Sequence, residues 1–411
     1  MKGLKGFIAE LQEKSQITSG VSFKNVQLQK DIVEYFIKNG RVTIAELAQH
    51  TKVSVPKIND LVNELLKNGL LVDLGKEIIG VGRKPNFYGL NPEAGYFLSI
   101  EIHRHHINIA LVNFREEIVD VQENIIFELQ NTKAKFDELC KITEAYLKNQ
   151  KAHLEKLAGI GLTITGRVNH RTGNSYSFFN FHEQPLSEIL SERFKLPCYI
   201  ENDTRAMSFG EYAKGCVTNE KDILFLNLND GIGMGIIIKG DLYSGKSGFA
   251  GEFGHLAIFN NDIICHCGKK GCLETEASGA AIISQVVYAI QNGTSTILTE
   301  TSRHEEISLH NVVDAALKDD SLCIEVISTA GEKIGKGIAL MLNLFNPELV
   351  IIGGEMARAG SLTLLPILSS INKHSLNLVN TDTEFRFSKL GKRAGLIGVS
   401  LLLRNHLLNI H

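Results

Sequence analysis

The chain has 411 residues, of which 44% are hydrophobic, and its 43 Lys and Arg against 46 Asp and Glu give a formal net charge of −3. Such a chain is expected to form roughly two or three domains that bury their own cores without disulfides. No apolar run approaches about 18 residues and no charged-then-apolar leader opens the sequence, so it predicts neither a membrane protein nor an exported one. The cysteines outside one cluster are scattered, which indicates a reducing, cytoplasmic compartment.

Charge is distributed unevenly along the chain. Residues 1–92 hold 13 Lys and Arg against 9 Asp and Glu, a balance of +4, so the remaining residues carry −7. A basic N-terminal part on an acidic body suggests a polyanionic partner for the first part only. Residues 1–25 are polar with little periodicity, and they are predicted to form an arm that is either flexible or one loose helix.

Residues 26–91 show the pattern of a small DNA-binding domain. A first helical repeat ends at Asn39-Gly40, Thr43 caps a short second helix, and Ser54 begins a third helix. Two extended pieces follow, LLVDLG and PNFYGL, with glycines between them as in a hairpin. Three helices and a hairpin, with a short turn between the last two helices, predict a winged helix-turn-helix.

The third helix would enter the major groove of duplex DNA in this fold. It would present Ser54, Lys57 and Asn59 to base edges, while Arg83 and Lys84 in the wing would reach phosphate or the minor groove. The alternative for the same segment is a protein-interaction module with a solvated, charged face.

From residue 92 the pattern changes to strands that alternate with helices. Apolar strands in the first half include FLSIEI, INIALVNF and LAGIGLTITG, and the second half contains the glycine-broken hairpin DILFLNLNDGIGMGIIIKGDLYSG and the strand ELVIIGG. Two halves of this kind predict an α/β body, residues 92–411, with two lobes and a cleft between them.

The stretch GEFGHLAIFNNDIICHCGKKGCLE, residues 251–274, contains a predicted metal site. One nitrogen and three sulfur ligands suit tetrahedral Zn²⁺, and they would come from His255, Cys265, Cys267 and Cys272. Because protein would fill all four positions, the zinc would be structural and would activate no water. His266 is the alternative to His255, and free thiols or a disulfide are the alternative to a metal.

Two carboxylates flank this predicted metal site, Glu252 and Glu274. Carboxylates accept hydrogen bonds from vicinal hydroxyl groups, so the pair could hold a polar ligand. Ordinary surface carboxylates are the alternative interpretation.

Six segments resemble, in this order, the ROK family of repressors, open reading frames and sugar kinases: GIGLTITGRV, YIENDTRAMSFGE, NDGIGMGIIIKG, AGEFGHLAI, CHCGKKGCLE and LFNPELVIIGG. The resemblance covers about residues 92–411, and the winged helix in front is similar to the repressor branch. It implies an actin-like, hexokinase-like fold with zinc on the four ligands and a sugar in the cleft. Carried over by motif, the sugar contacts would be Asn202, Asp203, Glu252, His255 and Glu274.

The resemblance also raises the question of phosphoryl transfer, because Asp203 matches the general base of the kinases. The kinases' first phosphate loop, Asp-x-Gly-Gly-Thr, is replaced here by the bulky Glu101-Ile102-His103-Arg104-His105. In the second loop Asn229-Asp230 stands where Gly-Thr is usual, which places an anion near a phosphate position. Gly353-Gly354 matches the adenosine-side glycines but also suits a plain strand-to-helix turn. We therefore predict that the protein is not an enzyme.

These features together predict a sugar-responsive transcriptional repressor that senses a hexose, an amino sugar or a sugar phosphate. The alternative is an ATP-dependent sugar kinase that carries a DNA-binding head, and the basic cluster at His103–His106 could then bind phosphate through side chains. A third hypothesis is control by a sugar-transport protein. The resemblance and the half-site geometry of DNA predict a homodimer or homotetramer.

Overall fold

The computed structural model describes residues 3–15, 21–76, 85–301 and 307–410. Arg83 and Lys84 of the predicted wing lie outside these ranges. The α-helices are α1 (Gly3–Ser15), α2 (Val21–Asn39), α3 (Ile44–Thr51), α4 (Val55–Lys67), α5 (Lys133–Asn149), α6 (Leu186–Phe194), α7 (Asp203–Lys214), α8 (Leu273–Ala277), α9 (Gly279–Gln291), α10 (Leu298–Thr301), α11 (Leu309–Ala316), α12 (Ser321–Phe345), α13 (Ser361–His374), α14 (Asn377–Asp382) and α15 (Ala394–Leu408).

The strands are β1 (Val42–Thr43), β2 (Leu71–Lys76), β3 (Asn86–Leu90), β4 (Tyr96–Ile102), β5 (His106–Asn113), β6 (Ile118–Ile126), β7 (Leu157–Ile164), β8 (Val168–Asn169), β9 (Asn174–Ser175), β10 (Cys198–Asn202), β11 (Ile223–Leu228), β12 (Ile232–Ile238), β13 (Asp241–Leu242), β14 (Leu349–Gly353) and β15 (Glu384–Phe387). The chain divides into two compact units. Unit 1 comprises Met1–Glu201 and Val399–His411, and unit 2 comprises Asn202–Gly398. The predicted boundaries after residues 25 and 91 both fall inside unit 1 and stay predictions.

Helices α2, α3 and α4 and the sheet β1-β3-β2 form the head, residues 26–91. At the start of α3 the Thr43 hydroxyl accepts a bond from the Glu46 amide (3.2 Å) and the Glu46 carboxylate accepts one from the Thr43 amide (2.7 Å). This is the capping box that the sequence predicts, and it satisfies amides that the first helical turn leaves without partners. The buried stripe of α4 consists of Ile58, Leu61, Val62 and Leu65.

The segment predicted as an arm is partly a well-packed helix, α1, which contacts α2, β7 and the 3-10 turn Leu154–Lys156. Leu4 is 0% exposed, and Phe7 and Ile8 are also buried. These side chains follow the i, i+3, i+4 spacing of a helical stripe, which the polar residues around them conceal in the sequence. The amide of Gly3 also donates to the Asn68 carbonyl at the end of α4 (3.0 Å). Residues 3–15 thus form a helix, which was one of the two alternatives, but the helix is packed and not loose.

Each unit of the body contains a five-stranded mixed sheet, and the two sheets have the same topology. In unit 1 the order is β10-β7-β4-β5-β6, with β4 antiparallel to β5 and parallel to β7. In unit 2 the order is β15-β14-β11-β12-β13, with β11 antiparallel to β12 and parallel to β14. The α/β class is thus confirmed, as is the repetition of one theme in two halves. No described helix has the length and apolarity needed to cross a membrane.

Candidate metal centre and sugar site

The four predicted metal ligands come together in unit 2. The ligand atoms of His255, Cys265, Cys267 and Cys272 all lie within 4.8 Å of one another. The Cys265 sulfur lies 3.4 Å from His255 Nδ1, and the Cys267 and Cys272 sulfurs are 3.6 Å apart. Sulfurs bound to one tetrahedral zinc at about 2.3 Å would be about 3.8 Å apart, so the spacing and the donor set fit such an ion.

The loop around these cysteines needs two backbone conformations that favour glycine. Gly268 has φ +82° and Gly271 has φ +77°, and a side chain at Gly271 would collide with the Phe259 carbonyl. Cys265 also donates from its amide to the Lys269 carbonyl (2.8 Å), which closes the turn that holds Cys267. The backbone conformation of this loop thus helps to bring the cysteine ligands together.

All seven cysteines are free thiols in this structure, and His266 is exposed and outside the cluster. Burial raises the pKa of Cys265 and raises that of Cys272 to about 12. Burial also acts to raise the pKa of Cys267, but the Lys269 amide and the neighbouring thiols bring it below the ordinary value. A metal would thus displace protons from at least two sulfurs on binding.

The predicted sugar contacts nearest the metal are Glu252, His255 and Glu274. Because Nδ1 of His255 faces the sulfurs, its Nε2 points elsewhere and lies 3.8 Å from a Glu252 carboxylate oxygen. The Glu274 carboxylate accepts a hydrogen bond from the Ile232 amide at the start of β12 (3.3 Å). The metal cluster and the two carboxylates are therefore parts of one local arrangement within unit 2.

Asn202 and Asp203 lie where β10 passes into α7. The Asn202 side-chain oxygen caps the helix by accepting from the Arg205 amide (3.1 Å), and its NH₂ group donates to Asp203 Oδ1 (2.9 Å). Asp203 Oδ1 also accepts from the Thr204 amide (2.7 Å). These bonds fix the orientation of the Asp203 carboxylate beside Asn202.

One charged residue near this site was not singled out from the sequence. Arg205, in the first turn of α7, is only 3% exposed, and its guanidinium donates to the Gly248 carbonyl (2.5 Å). The sequence places Arg205 on a helix, but helical periodicity among the small residues of DTRAMSFGE does not indicate that this side chain is buried.

The segment that matches the kinases' second phosphate loop lies in unit 2, and internal hydrogen bonds hold it in place. The Asn229 side chain donates to Asn227 Oδ1 (2.7 Å) and accepts from the Glu355 amide (2.6 Å), while Asp230 is exposed. Gly354 has φ +85°, and a Cβ there would lie 2.5 Å from the Leu228 carbonyl oxygen. The geometry thus favours the structural interpretation of Gly353-Gly354, because the turn after β14 requires them without a nucleotide.

The segment that matches the kinases' first phosphate loop lies in unit 1 and forms the hairpin turn between β4 and β5. Glu101 is 1% exposed, accepts from the Asn108 amide group (3.2 Å) and lies 3.1 Å from His103 Nε2. The His103 amide donates to the His106 carbonyl (2.9 Å), and the two rings stack. His105 in turn pairs with a carboxylate, that of Glu128 (2.9 Å). Two histidines of the basic cluster, His103 and His105, therefore already have carboxylate partners.

The predicted base-reading residues lie at the start of α4. Ser54 occupies the N-cap position, is exposed, and makes no capping bond with its hydroxyl. Lys57 and Asn59 are partly exposed on the two sides of the buried stripe. All three are thus accessible on the described part of the head, and their contacts with DNA stay predictions.

Comparisons with known proteins match both parts of the chain. The sequence model of the ROK family matches residues 97–406, and a model described as winged helix-turn-helix DNA-binding matches residues 27–72. The xylose repressor of Caldicellulosiruptor bescii is 29% identical over 381 residues, which cover 92% of this chain and 95% of that protein.

Solved structures match the same two regions. A ROK family transcriptional regulator, a homologue of the Escherichia coli Mlc protein, has a TM-score of 0.76 and 28% identity, and the match covers 90% of this chain and 92% of that one. A ROK family glucokinase from Streptomyces griseus, solved with glucose and AMPPNP, has a TM-score of 0.63 and 24% identity, covering 75% of this chain and 99% of the kinase. The second likeness concerns the fold alone.

Proposed function

Because the chain belongs to the ROK family and carries a winged helix-turn-helix ahead of the ROK region, we propose that it is a sugar-responsive transcriptional repressor of carbohydrate-metabolism genes. The presence of both parts in one chain carries this proposal. A repressor and a transcriptional regulator of the same family are similar to this chain over 92% and 90% of its length, respectively, which supports it.

The head binds duplex DNA in this proposal. Helix α4 enters the major groove with Ser54, Lys57 and Asn59 at base edges, and Arg83 and Lys84 bind phosphate or the minor groove. Two heads of a homodimer or homotetramer would read two half-sites. Phosphate contacts make the affinity depend steeply on salt concentration.

Unit 2 supplies the sugar contacts in this proposal. Asp203, Glu252 and Glu274 accept hydrogen bonds from sugar hydroxyls, the Asn202 side chain adds a further polar contact, and Nε2 of His255 donates when Nδ1 binds the metal. A sugar binds only where several polar groups converge, because they must replace the water molecules that hydrate its hydroxyl groups. The effector is a hexose, an amino sugar or one of their phosphates.

Zinc is the metal that suits the His-Cys₃ cluster. It would supply structural cross-linking of the loop, with Nδ1 of His255 and three thiolates as ligands. The protein's own contribution is to point the second ring nitrogen of His255, Nε2, toward the sugar site beside Glu252.

The response is a shift in population between two conformations of the body. A sugar shifts this equilibrium only by the difference between its affinities for the two conformations, and about 1–3 kcal/mol is typical of such coupling. Because the head belongs to the same compact unit as the first half of the body, a change in that unit moves the DNA-binding helices with it. The heads of a dimer then lose register with their half-sites.

Phosphoryl transfer has little support from the site, although Asp203 matches the general base of the kinases by motif. A kinase needs backbone amides around the nucleotide phosphates. In the matching segments, the His103 amide of unit 1 donates to the His106 carbonyl and the Asn229 amide of unit 2 donates to the Gly231 carbonyl, so these amides are already bonded within the protein. We therefore retain the kinase only as the competing hypothesis.

A calorimetric screen of zinc-loaded protein against hexoses, pentoses, amino sugars and their phosphates, with and without Mg-ATP, tests the proposal. We expect one sugar to bind in the absence of nucleotide and ATP to produce neither heat nor ADP. Consumption of the sugar with ADP formation that is lost in Asp203→Asn would establish the kinase instead.

A further inference from the structure

The three carboxylates of the proposed sugar site come from separate segments of unit 2. Asp203 begins α7, Glu252 precedes the 3-10 turn Phe253–His255, and Glu274 lies in α8. A sugar is bound well only if these groups keep fixed relative positions, because an ill-placed acceptor loses its hydrogen bond. Sugar binding by all three carboxylates therefore requires contacts that hold their segments together.

Two of the carboxylates are linked through the central sheet. Glu274 accepts from the Ile232 amide at the start of β12 (3.3 Å). Asp203 accepts from Thr204, whose hydroxyl in turn accepts from the Asn227 side chain at the end of β11 (3.1 Å). Strands β11 and β12 are hydrogen-bonded neighbours, so Asp203 and Glu274 are held by one rigid element.

The third carboxylate follows a glycine-rich loop outside the sheet. Residues 244–251 contain Gly245, Gly248 and Gly251, all with φ between +70° and +86°. The base of the loop is closed by bonds from the Ala250 amide to the Ser244 carbonyl (3.2 Å) and from the Met234 amide to the Gly251 carbonyl (3.3 Å). Its middle, at Gly248, is held by the guanidinium of Arg205 (2.5 Å).

Arg205 thus joins the helix that begins with Asp203 to the loop that leads to Glu252. Its backbone amide donates to Asn202, and its side chain reaches the loop 43 residues later in the sequence. Burial of a guanidinium is energetically costly, so its retention beside a proposed ligand site points to a task beyond filling space.

We infer that Arg205 is a positioning residue for sugar recognition, which sets the place of Glu252 relative to Asn202 and Asp203. The inference rests on the proposed function, since it concerns the same sugar site. Arg205 does not touch the sugar in this scheme. It acts through the Gly248 carbonyl and the glycine-rich loop, and it therefore influences the sugar hydroxyl that Glu252 binds more than the one that Glu274 binds.

A double-mutant cycle on the full-length, zinc-loaded protein tests this scheme, with the sugar found in the calorimetric screen as the probe. We expect Arg205→Met to weaken sugar binding by about ten-fold or more, the effect of one lost charge-assisted hydrogen bond. In an E252Q background the same substitution should weaken binding less than about two-fold, because the contact that it misplaces has already been impaired. In an E274Q background the full effect of Arg205→Met should persist.

Arg205→Lys keeps the positive charge but not the guanidinium geometry, so we expect it to bind the sugar more tightly than Arg205→Met and less tightly than the wild type. Zinc content and sugar-free DNA binding should match the wild type in both variants, which a general loss of folding would not allow. If Arg205→Met does not fold, the same cycle is run with Arg205→Lys. Equal losses in the E252Q and E274Q backgrounds would overturn the inference while leaving the proposed function intact. A wild-type protein that binds none of the sugars would overturn both.

Discussion

The side chains around the metal site show how a few local contacts constrain a large loop. His255 and three cysteines meet from a segment of only 18 residues, and the sulfurs already have nearly the spacing that zinc requires. Because burial raises the pKa of the Cys265 and Cys272 thiols, zinc uptake should release protons and weaken as the pH falls.

Replacement of one ligand tests the metal directly. We expect the wild type to contain one zinc per chain by elemental analysis, and Cys272→Ser to contain none and to melt roughly 10 °C lower. Cys198→Ser, in a half-buried thiol outside the cluster, is the matched control and should keep its zinc. Zinc retained in Cys272→Ser, or lost equally in both variants, would contradict the assignment.

The role of Glu274 is separable from that of its neighbour Glu276 on the same short helix. We expect Glu274→Gln to weaken sugar binding by roughly 10- to 100-fold in calorimetry, since a hydrogen bond to a charged acceptor is lost. Glu276 is bound by Lys333 and Asn261, so Glu276→Gln should leave sugar affinity within about two-fold of the wild type. Similar losses in both variants would indicate damage to α8 instead of a lost sugar contact.

Helix α1 joins the head to the first half of the body. It contacts α2 of the head and β7 of the body, and Leu4 packs so closely on Gly95 that a Cβ at Gly95 would lie 2.7 Å from the Leu4 Cβ. Gly95 separates the turn after the head from β4. A change in the body can therefore reach the head through both the chain connection and this packed helix.

Disruption of α1 should separate sugar binding from the DNA response. We expect Leu4→Asp, which places a charge at a fully buried position, to cost about 3–5 kcal/mol of local packing and to detach α1. Sugar affinity should stay unchanged, while the effect of sugar on DNA affinity falls by at least about half. Lys5→Ala, on the exposed side of the same helix, should behave as the wild type. A normal DNA response in Leu4→Asp would remove α1 from the pathway.

The elements that the sequence predicted well are those specified by local patterns. Thr43 and Glu46 form a capping box at the expected spacing, and the four side chains of the predicted metal site, which are close in the sequence, come together. The missed features depend on distant partners. Leu4 is buried because Gly95 leaves room for it, and Arg205 is buried because a loop 43 residues away offers a carbonyl. Periodicity within one segment contains no information on such partners.

The two units repeat one sheet topology but carry different chemistry. Unit 2 holds the metal cluster and all five predicted sugar contacts, whereas unit 1 holds the head and the hairpin that replaces the first phosphate loop. The repeated α/β fold was readable from the alternation of strands and helices, while the internal bonding of Glu101 and Asn229 required the structure.

The competing kinase hypothesis can be tested by measuring ATP turnover. Purified protein with Mg-ATP and the bound sugar should produce ADP no faster than Asp203→Asn does, because bulky residues replace the glycines of the first phosphate loop and Asn229-Asp230 stands in the second. Production of ADP that requires the sugar and Asp203 would show that side chains of the basic cluster replace the glycine loops.

The most direct measurement of the central claim is the affinity of the full-length protein for DNA with and without sugar. A duplex selected by the protein from a random pool would be titrated by fluorescence anisotropy at fixed salt, with the sugar from the screen and no nucleotide. We predict that the sugar changes the Kd at least about five-fold, and that Asp203→Asn and Glu274→Gln shift this response to higher sugar concentration. An unchanged Kd at saturating sugar, or DNA binding that survives deletion of residues 26–90, would contradict the account.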